Sequence, residues 1–230
     1  MGILVFGGSG GIGSAVVTLL RRHGAEVVVG ARGQRSAVDF EVDVTDPAQV
    51  DAAVAFAVEK MGRLDGLVHC VGSILLKAAH QTSAAEWDST IALNLTSAFS
   101  AVRAGAKAMM PGGGSIVLMS SAAGRVGLMN HDAIAAAKAG VIGLTMSAAA
   151  SYARYGIRVN CIAPGLVRTP LSARITGNEA SLKASEAMHP LGRIGEPEEV
   201  AEAIVMVLEA KWMTGQVVGI DGGLATVRGR

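Results

Sequence analysis

One doubly wound α/β domain spanning residues 1–230, with a seven-stranded parallel sheet between two layers of helix, is the fold this sequence predicts. Three observations predict it. Short β-branched runs alternate with longer helical patterns from end to end, as strands and crossover helices do. A glycine-rich turn, Phe6-Gly7-Gly8-Ser9-Gly10-Gly11-Ile12-Gly13, joins the first strand-like run to the first helical one. The 230 residues, half of them apolar, suit one substantial core.

The elements follow in order. Gly2–Phe6 reads as the first strand. Ser14–His23 is a helix with Val16, Val17, Leu19 and Leu20 on its apolar face and Gly24 as its stop. Glu26–Gly30 and Val38–Val42 are the second and third strands. Asp46 caps the next helix, Pro47 fits its first position, and Gln49 is placed to reach back. Val50, Val54, Ala57, Val58 and Met61 give that helix a buried stripe. Leu64–Val71 is a strand, Glu86–Met109 one long helix, Ser115–Ser120 a strand, Ile134–Tyr155 a helix and Arg158–Ala163 a strand. A less regular insert, 170–189, precedes a helix at Pro197–Leu208 and a last strand at Gln216–Ile220.

The glycine turn carries the first functional signal. Glycine allows a tight turn and lets a dinucleotide pyrophosphate approach the backbone, where the free N–H groups and positive end of the helix stabilise its charge. Two registers fit, G-x-G-x-x-G from Gly8 and G-x-x-x-G-x-G from Gly7, both ending at Gly13. The end of the second strand selects the cofactor. An acid there binds the ribose hydroxyls of NAD, whereas arginine accommodates the extra phosphate of NADP. Residues 30 to 37 read G-A-R-G-Q-R-S-A, with Arg32 and Arg35 and no acid.

Composition excludes several classes. A formal net charge of +1 gives no reason to expect nucleic acid or an anionic membrane as partner. Charged residues are 17% of the chain, below the roughly 25% of an average globular protein, which points to surface buried between subunits. Cys70 and Cys161 lie in apolar strand-like runs and read as buried reduced thiols, in keeping with a cytoplasmic protein. The apolar stretch Gly2–Phe6 is too short for a signal peptide, and the Ala-rich run from Ala133 to Ala153 reads as a buried helix rather than a membrane span. No metal-ligand set is expected.

Ser121, Asn94, Lys138 with its surrounding small residues, Ala163-Pro164-Gly165 with Thr169, and Asp221-Gly222-Gly223 complete a pattern together with the glycine turn. Over essentially the whole chain it resembles the short-chain dehydrogenase/reductase family. The resemblance implies that Ser121 hydrogen-bonds the substrate oxygen. It implies that Lys138 binds the nicotinamide ribose and that Asn94 helps hold Lys138 and a proton-relay water. It also implies that Pro164, Gly165 and Thr169 fall beside the nicotinamide, Asp43-Val44 beside the adenine, and that Gly72 is among the cofactor-binding residues. Gly7, Ser9, Gly10, Gly11, Ile12 and Gly13 fall at the pyrophosphate.

Three departures stand out. The family's threonine before the glycines is Phe6. Its asparagine-rich N-N-A-G turn is His69-Cys70-Val71-Gly72, and His69 reads as a hydrogen-bonded structural residue. Most consequentially, the family's proton-donating tyrosine, four residues before the lysine, is Ile134. No Y-x-x-x-K occurs elsewhere. Tyr152 lies 18 residues further on, roughly 27 Å along a straight helix.

Three functions fit these residues. The first is an NADP-dependent oxidoreductase on a carbonyl or alcohol, attenuated in proton transfer, with His131 and Asp132 as alternative donors in a loop before the helix. The second is a non-redox isomerase, cyclase or lyase. The third is an inactive dinucleotide-binding subunit. Leu128, Met129, Leu166, Leu171 and Met188 predict an apolar pocket wall, suited to an apolar or ring-bearing small molecule. A stripe of Ala135, Ala139 and Gly143, with Ala136 and Gly140 beside it, predicts close helix packing in a homodimer or homotetramer.

Overall fold

Strand alternation decides which side chains meet which helices. In the computed structural model, which describes residues 1–33 and 37–227, β1 is Gly2–Phe6 and is wholly buried. Leu4 and Phe6 enter one apolar core, while Ile3 and Val5 enter the other. The same split recurs in β2 (Glu26–Ala31), β4 (Gly66–His69) and β5 (Gly114–Met119): Val28, Leu67, Ile116 and Leu118 face one side, Val27, Val29, Val68 and Val117 the other. Strands buried on both faces in this way are those of a parallel sheet covered by helices on each side. Each such Leu, Ile or Val contributes roughly 1.5–3 kcal/mol by leaving water.

With β3 (Phe40–Glu41), β6 (Ile157–Pro164) and β7 (Val217–Ile220) the sheet has seven strands in the order β3-β2-β1-β4-β5-β6-β7, all parallel. The order reverses direction at β1, between β1 and β4, and ligands of such sheets bind at the carboxyl ends of the strands beside that point.

Helices α1 (Gly11–Arg22) and α8 (Pro197–Glu209) pack together on one face. On the other lie α2 (Pro47–Met61), α4 (Ser97–Met109) and α5 (Asp132–Tyr152). Gly24 ends α1 as expected: it is left-handed at φ +78, and Ala25 N–H returns to Leu20 O at 3.0 Å. Asp46 caps α2 through Ala48 N–H at 2.9 Å. Gln49 reaches back further than the cap, accepting from Asp43 N–H and donating to Asp46.

Four expectations need correction. The long middle helix is interrupted: α3 (Ala84–Ile91) passes through a π turn, Ala92–Thr96, before α4 begins. The third strand shrinks from five residues to Phe40–Glu41, because Asp39 turns its carboxylate back to Val29 N–H. The fourth strand starts at Gly66 and ends at His69, leaving Cys70 to Gly72 in the loop above it. The insert after β6 holds helix: α6 (Ala173–Thr176) and α7 (Glu179–Met188), the latter capped by Asn178. The segment Asp132–Tyr155 is long and apolar enough to span a bilayer. Here it packs on β6, with Ala133, Ile134, Ala137, Val141, Ala148 and Ala149 buried.

Candidate active site

The glycine turn sits where β1 feeds α1. Gly7 is left-handed at φ +75 and donates to Gly30 O at 2.8 Å, and Gly10 N–H closes the turn on Gly7 O at 3.0 Å. A side chain on Gly13 would run into Gly7 O, so α1 approaches β1 only because position 13 is bare. Ser9, Gly10, Gly11 and Ile12 lie at the rim of this turn, none of them buried. No side chain caps α1 and its first turn holds no acid. Its leading N–H groups therefore face outward with their partial positive charge uncompensated, which suits a phosphate. Thr169 packs over Gly11: a Cβ there would fall 2.7 Å from the threonine Cβ.

Beyond the glycine turn, Arg32 is exposed just past β2, and Arg35 lies outside the described residues. An acid does come near: Glu41 on β3 accepts from Gly33 N–H at 3.1 Å and so holds the loop. Asp43 accepts from the N–H and hydroxyl of Thr45, bonds that hold its carboxyl below the usual range. Val44 is buried against the core.

A cavity of about 260 Å³ opens at the carboxyl ends of β4, β5 and β6. Ser121, Lys138, Gly72, Pro164, Gly165, Thr169 and Ile12 all line it, as do Leu128, Leu166, Leu171 and Met188. Ser121 follows β5, and its Oγ accepts from Ala123 N–H at 3.1 Å. Lys138 is 7% exposed; its Nζ donates to Met119 O at 2.9 Å, and its own carbonyl accepts from Ser120 Oγ at 2.8 Å. Burial lowers this amine to about 8, against the opposing pull of Cys70 and Cys161. Asn94, in the π turn, donates to Thr90 O and Ser73 Oγ and accepts from Ser73 N–H. A Cβ on Gly72 would lie 2.9 Å from Asn94 Oδ1 and 3.3 Å from Lys138 Nζ, so the two groups converge over that glycine.

Ile134 also lines the cavity, one turn before Lys138 and 5% exposed. The wall that the family resemblance gives to a phenol is hydrocarbon. Neither tyrosine lines this cavity; Tyr155 OH accepts from Arg154 instead. Of the alternative donors, His131 lines the cavity, with Nδ1 2.7 Å from Met129 O. Asp132 belongs to the first turn of α5, is exposed, and stands off the cavity wall, where a loop position was expected. Met129 also leaves the expected wall. It is 86% exposed, beside Asn130 in the left-handed conformation at φ +61.

His69 is buried and lies off the cavity, but the expected hydrogen bonding is incomplete: Nε2 finds no partner among the described residues. Its ring meets Phe6 edge-on, and burial, helped by Lys138, pushes it down to about 3. Both cysteines are free thiols. Cys161 is buried, whereas Cys70 keeps some surface toward the cavity; the protein around its thiol pushes it up to about 12.

Sequence reasoning missed His189. It is 3% exposed at the end of α7 and lines the cavity. Its Nδ1–H donates to Ser185 O at 2.6 Å and its Nε2 accepts from Leu166 N–H at 3.2 Å, which fixes a neutral tautomer. Its one trace in the sequence is Gly165, where any side chain would strike the imidazole.

Residues 7–225 match the family model described as enoyl-(acyl carrier protein) reductase. The 2-(S)-hydroxypropyl-CoM dehydrogenase 3 of Xanthobacter autotrophicus is 34% identical, over 98% of this chain and 96% of its own. The cis-4-hydroxycyclohexanecarboxylate dehydrogenase of Sinomonas cyclohexanicum is 39% identical, over 97% and 96%. A crystal structure of an actinorhodin polyketide ketoreductase variant with NADPH superposes with a TM-score of 0.92 at 30% identity, covering 98% of this chain and 97% of that one. With the glycine turn, the seven-stranded order and the Ser121–Lys138–Asn94 arrangement, these matches make the chain a member of the short-chain dehydrogenase/reductase family.

Proposed function

We propose that this chain is an NADP-dependent oxidoreductase acting on the carbonyl or alcohol of an apolar, ring-bearing small molecule, attenuated at the proton-transfer step. The observation that carries the reading is the convergence of Ser121, Lys138 and Gly72 on one apolar cavity, with Asn94 behind them and Ile134 on the wall. Relatives that share this architecture are named as dehydrogenases of hydroxyl compounds, one of them on a cyclohexane ring.

The residues present fit a dinucleotide. The uncapped start of α1 and the bare glycines from Gly7 to Gly13 leave a cradle that a Cβ would fill. They would hold the pyrophosphate, with Ser9 and Ile12 at its edge. Arg32 would meet the extra phosphate, Asp43-Val44 would flank the adenine, Lys138 would bind the ribose, and Gly72, Pro164, Gly165 and Thr169 would frame the nicotinamide. When bound, the dinucleotide supplies the hydride. Ser121 Oγ orients the substrate oxygen and stabilises charge developing on it. Ile134 donates nothing, so the proton comes from His131, which lines the cavity, from water or from the substrate itself. An alternative is non-redox chemistry, or dinucleotide binding without turnover; Ile134 is what favours it.

The test follows NADPH absorbance and product mass together on a panel of cyclic ketones. Slow, coupled loss of NADPH and formation of alcohol supports the oxidoreductase. Substrate rearrangement without NADPH loss, or no change in either, overturns it in favour of the alternatives.

A further inference from the structure

Removing the phenol from this cavity does more than slow a proton: it leaves an amine without its neighbour. Lys138 reaches the cavity from a fixed base. Its backbone carbonyl is held by Ser120 Oγ and its Nζ by Met119 O, at 2.8 and 2.9 Å. On one side Gly72 offers no side chain to cover it, and one turn back Ile134 offers only carbon. Among the described residues no carboxylate pairs with it. Ser121 stands on the same wall with a hydroxyl able to polarise an oxygen. The other lysines differ: Lys107 and Lys211 are exposed, while Lys60, Lys77 and Lys183 are tied to Asp39, Glu86 and Glu179.

We propose that Lys138 is a carbonyl-condensing amine, which captures neutral, apolar aldehydes and ketones in this cavity as an imine. The ammonium first gives one proton to water, and the freed Nζ lone pair bonds to the carbonyl carbon while the C=O π pair moves to oxygen, next to Ser121. A proton passes from nitrogen to that oxygen to give the carbinolamine; the first proton returns to the hydroxyl, which leaves as water, and an iminium remains. Counted from the ammonium, one carbonyl compound is taken up, one water leaves and the single positive charge is kept, so no oxidant or reductant is required. Desolvation in an apolar pocket is a known way to make a lysine nucleophilic, and Lys138, 7% exposed on an apolar wall, is desolvated in that way. The dinucleotide plays no part in this step, so the redox reading and this one fail separately.

The experiment traps the imine. Full-length protein without dinucleotide is incubated with low millimolar cyclohexanone or benzaldehyde and cyanoborohydride, and the reduced adducts are mapped by peptide mass spectrometry over time. The expected result is alkylation of Lys138 at least about ten-fold faster than of the exposed Lys107 and Lys211, which form no ion pair among the described residues. Labelling of Lys138 at or below the surface rate overturns the proposal. A Lys138→Arg variant should lose the fast-reacting site and keep the surface background. Should that variant fail to fold, the wild-type map decides alone, because the surface lysines are its internal reference.

Discussion

Phe6 and His69 pack against each other, edge to face, with ring centroids 6.3 Å apart and planes at 61°. They lie directly opposite in the paired strands β1 and β4. Both positions depart from the residues the family resemblance supplies, and they depart together: an aromatic pair occupies the space under the glycine turn where two small polar side chains were implied.

This pair predicts an acid sensitivity. The folded-state value of His69, about 3, is below the ordinary 6.5. The unfolded chain therefore binds the proton first, and stability that is complete above pH 6.5 is lost as pH falls toward 3. The slope from one such group is about 1.4 kcal/mol per pH unit. His69→Asn should flatten the urea-denaturation profile between pH 6.5 and 5 by about 1.6 kcal/mol. A variant that loses stability with acid as steeply as the wild type would disprove the assignment.

Ile134→Tyr should raise ketone reduction. General acid catalysis by a positioned side chain contributes typically ~10²–10⁴-fold. The positive charge of Lys138 one turn away would favour the phenolate and so lower the new group's pKa. Comparing kcat for wild type, Ile134→Tyr and Ile134→Tyr with Lys138→Ala should show a gain that depends on the lysine. A folded, NADPH-binding Ile134→Tyr protein with no gain across cyclic ketones would favour the non-redox reading.

Arg32→Ala should weaken NADPH roughly ten-fold, or about 1.4 kcal/mol, and leave NADH nearly unchanged. Isothermal titration of both cofactors checks this. Equal loss for the two would show that Arg32 does not read the extra phosphate.

Two glycines should separate in their tolerance of alanine. Gly13→Ala places a methyl group against the Gly7 carbonyl, so the turn must open. NADPH binding should fall together with stability, by more than about 2 kcal/mol. Gly24→Ala meets nothing within 4 Å and strains only the left-handed backbone. It should cost about 1–2 kcal/mol and leave NADPH affinity intact. Thermal melts with and without NADPH distinguish the two.

Light scattering at micromolar concentration should show a dimer or tetramer. Ala136, Ala139 and Gly143 are exposed on α5, and so are Met146 and, on α4, Phe99. Ala139→Arg should shift the mass toward 23 kDa. A wild-type protein already at 23 kDa would remove the assembly reading. Gly140 plays a different part from its neighbours: it admits Leu95, whose side chain would lie 2.7 Å from a Cβ there.

The inner strands were legible because they are buried on both faces, which writes a continuous apolar run such as Ile3–Phe6 into the sequence. The glycine turn was legible because close backbone approach dictates its residue types; that Ser121 and Lys138 would share one cavity wall followed from the family resemblance alone. What escaped was set by contacts distant in sequence. His189 faces Leu166 and Gly165 across an insert with no periodic pattern. Asp39 shortens β3 by bonding to β2 rather than through anything β3 itself encodes. His69 was read as hydrogen-bonded because an imidazole usually is; its neighbour Phe6 offers a ring instead.

The π turn at Ala92–Thr96 carries roughly one residue more than regular helix would use over the same rise. One helical residue is about 100° of rotation. The turn therefore lets Asn94 point at Ser73 while Ala98, Ala101 and Val102 of α4 still point into the core. A single deletion here would straighten the helix and force a choice between the two, either swinging the carboxamide off the loop above β4 or turning the packed face of α4 toward water. The segment works as an indexing key between site and scaffold, and its length sets the register of both.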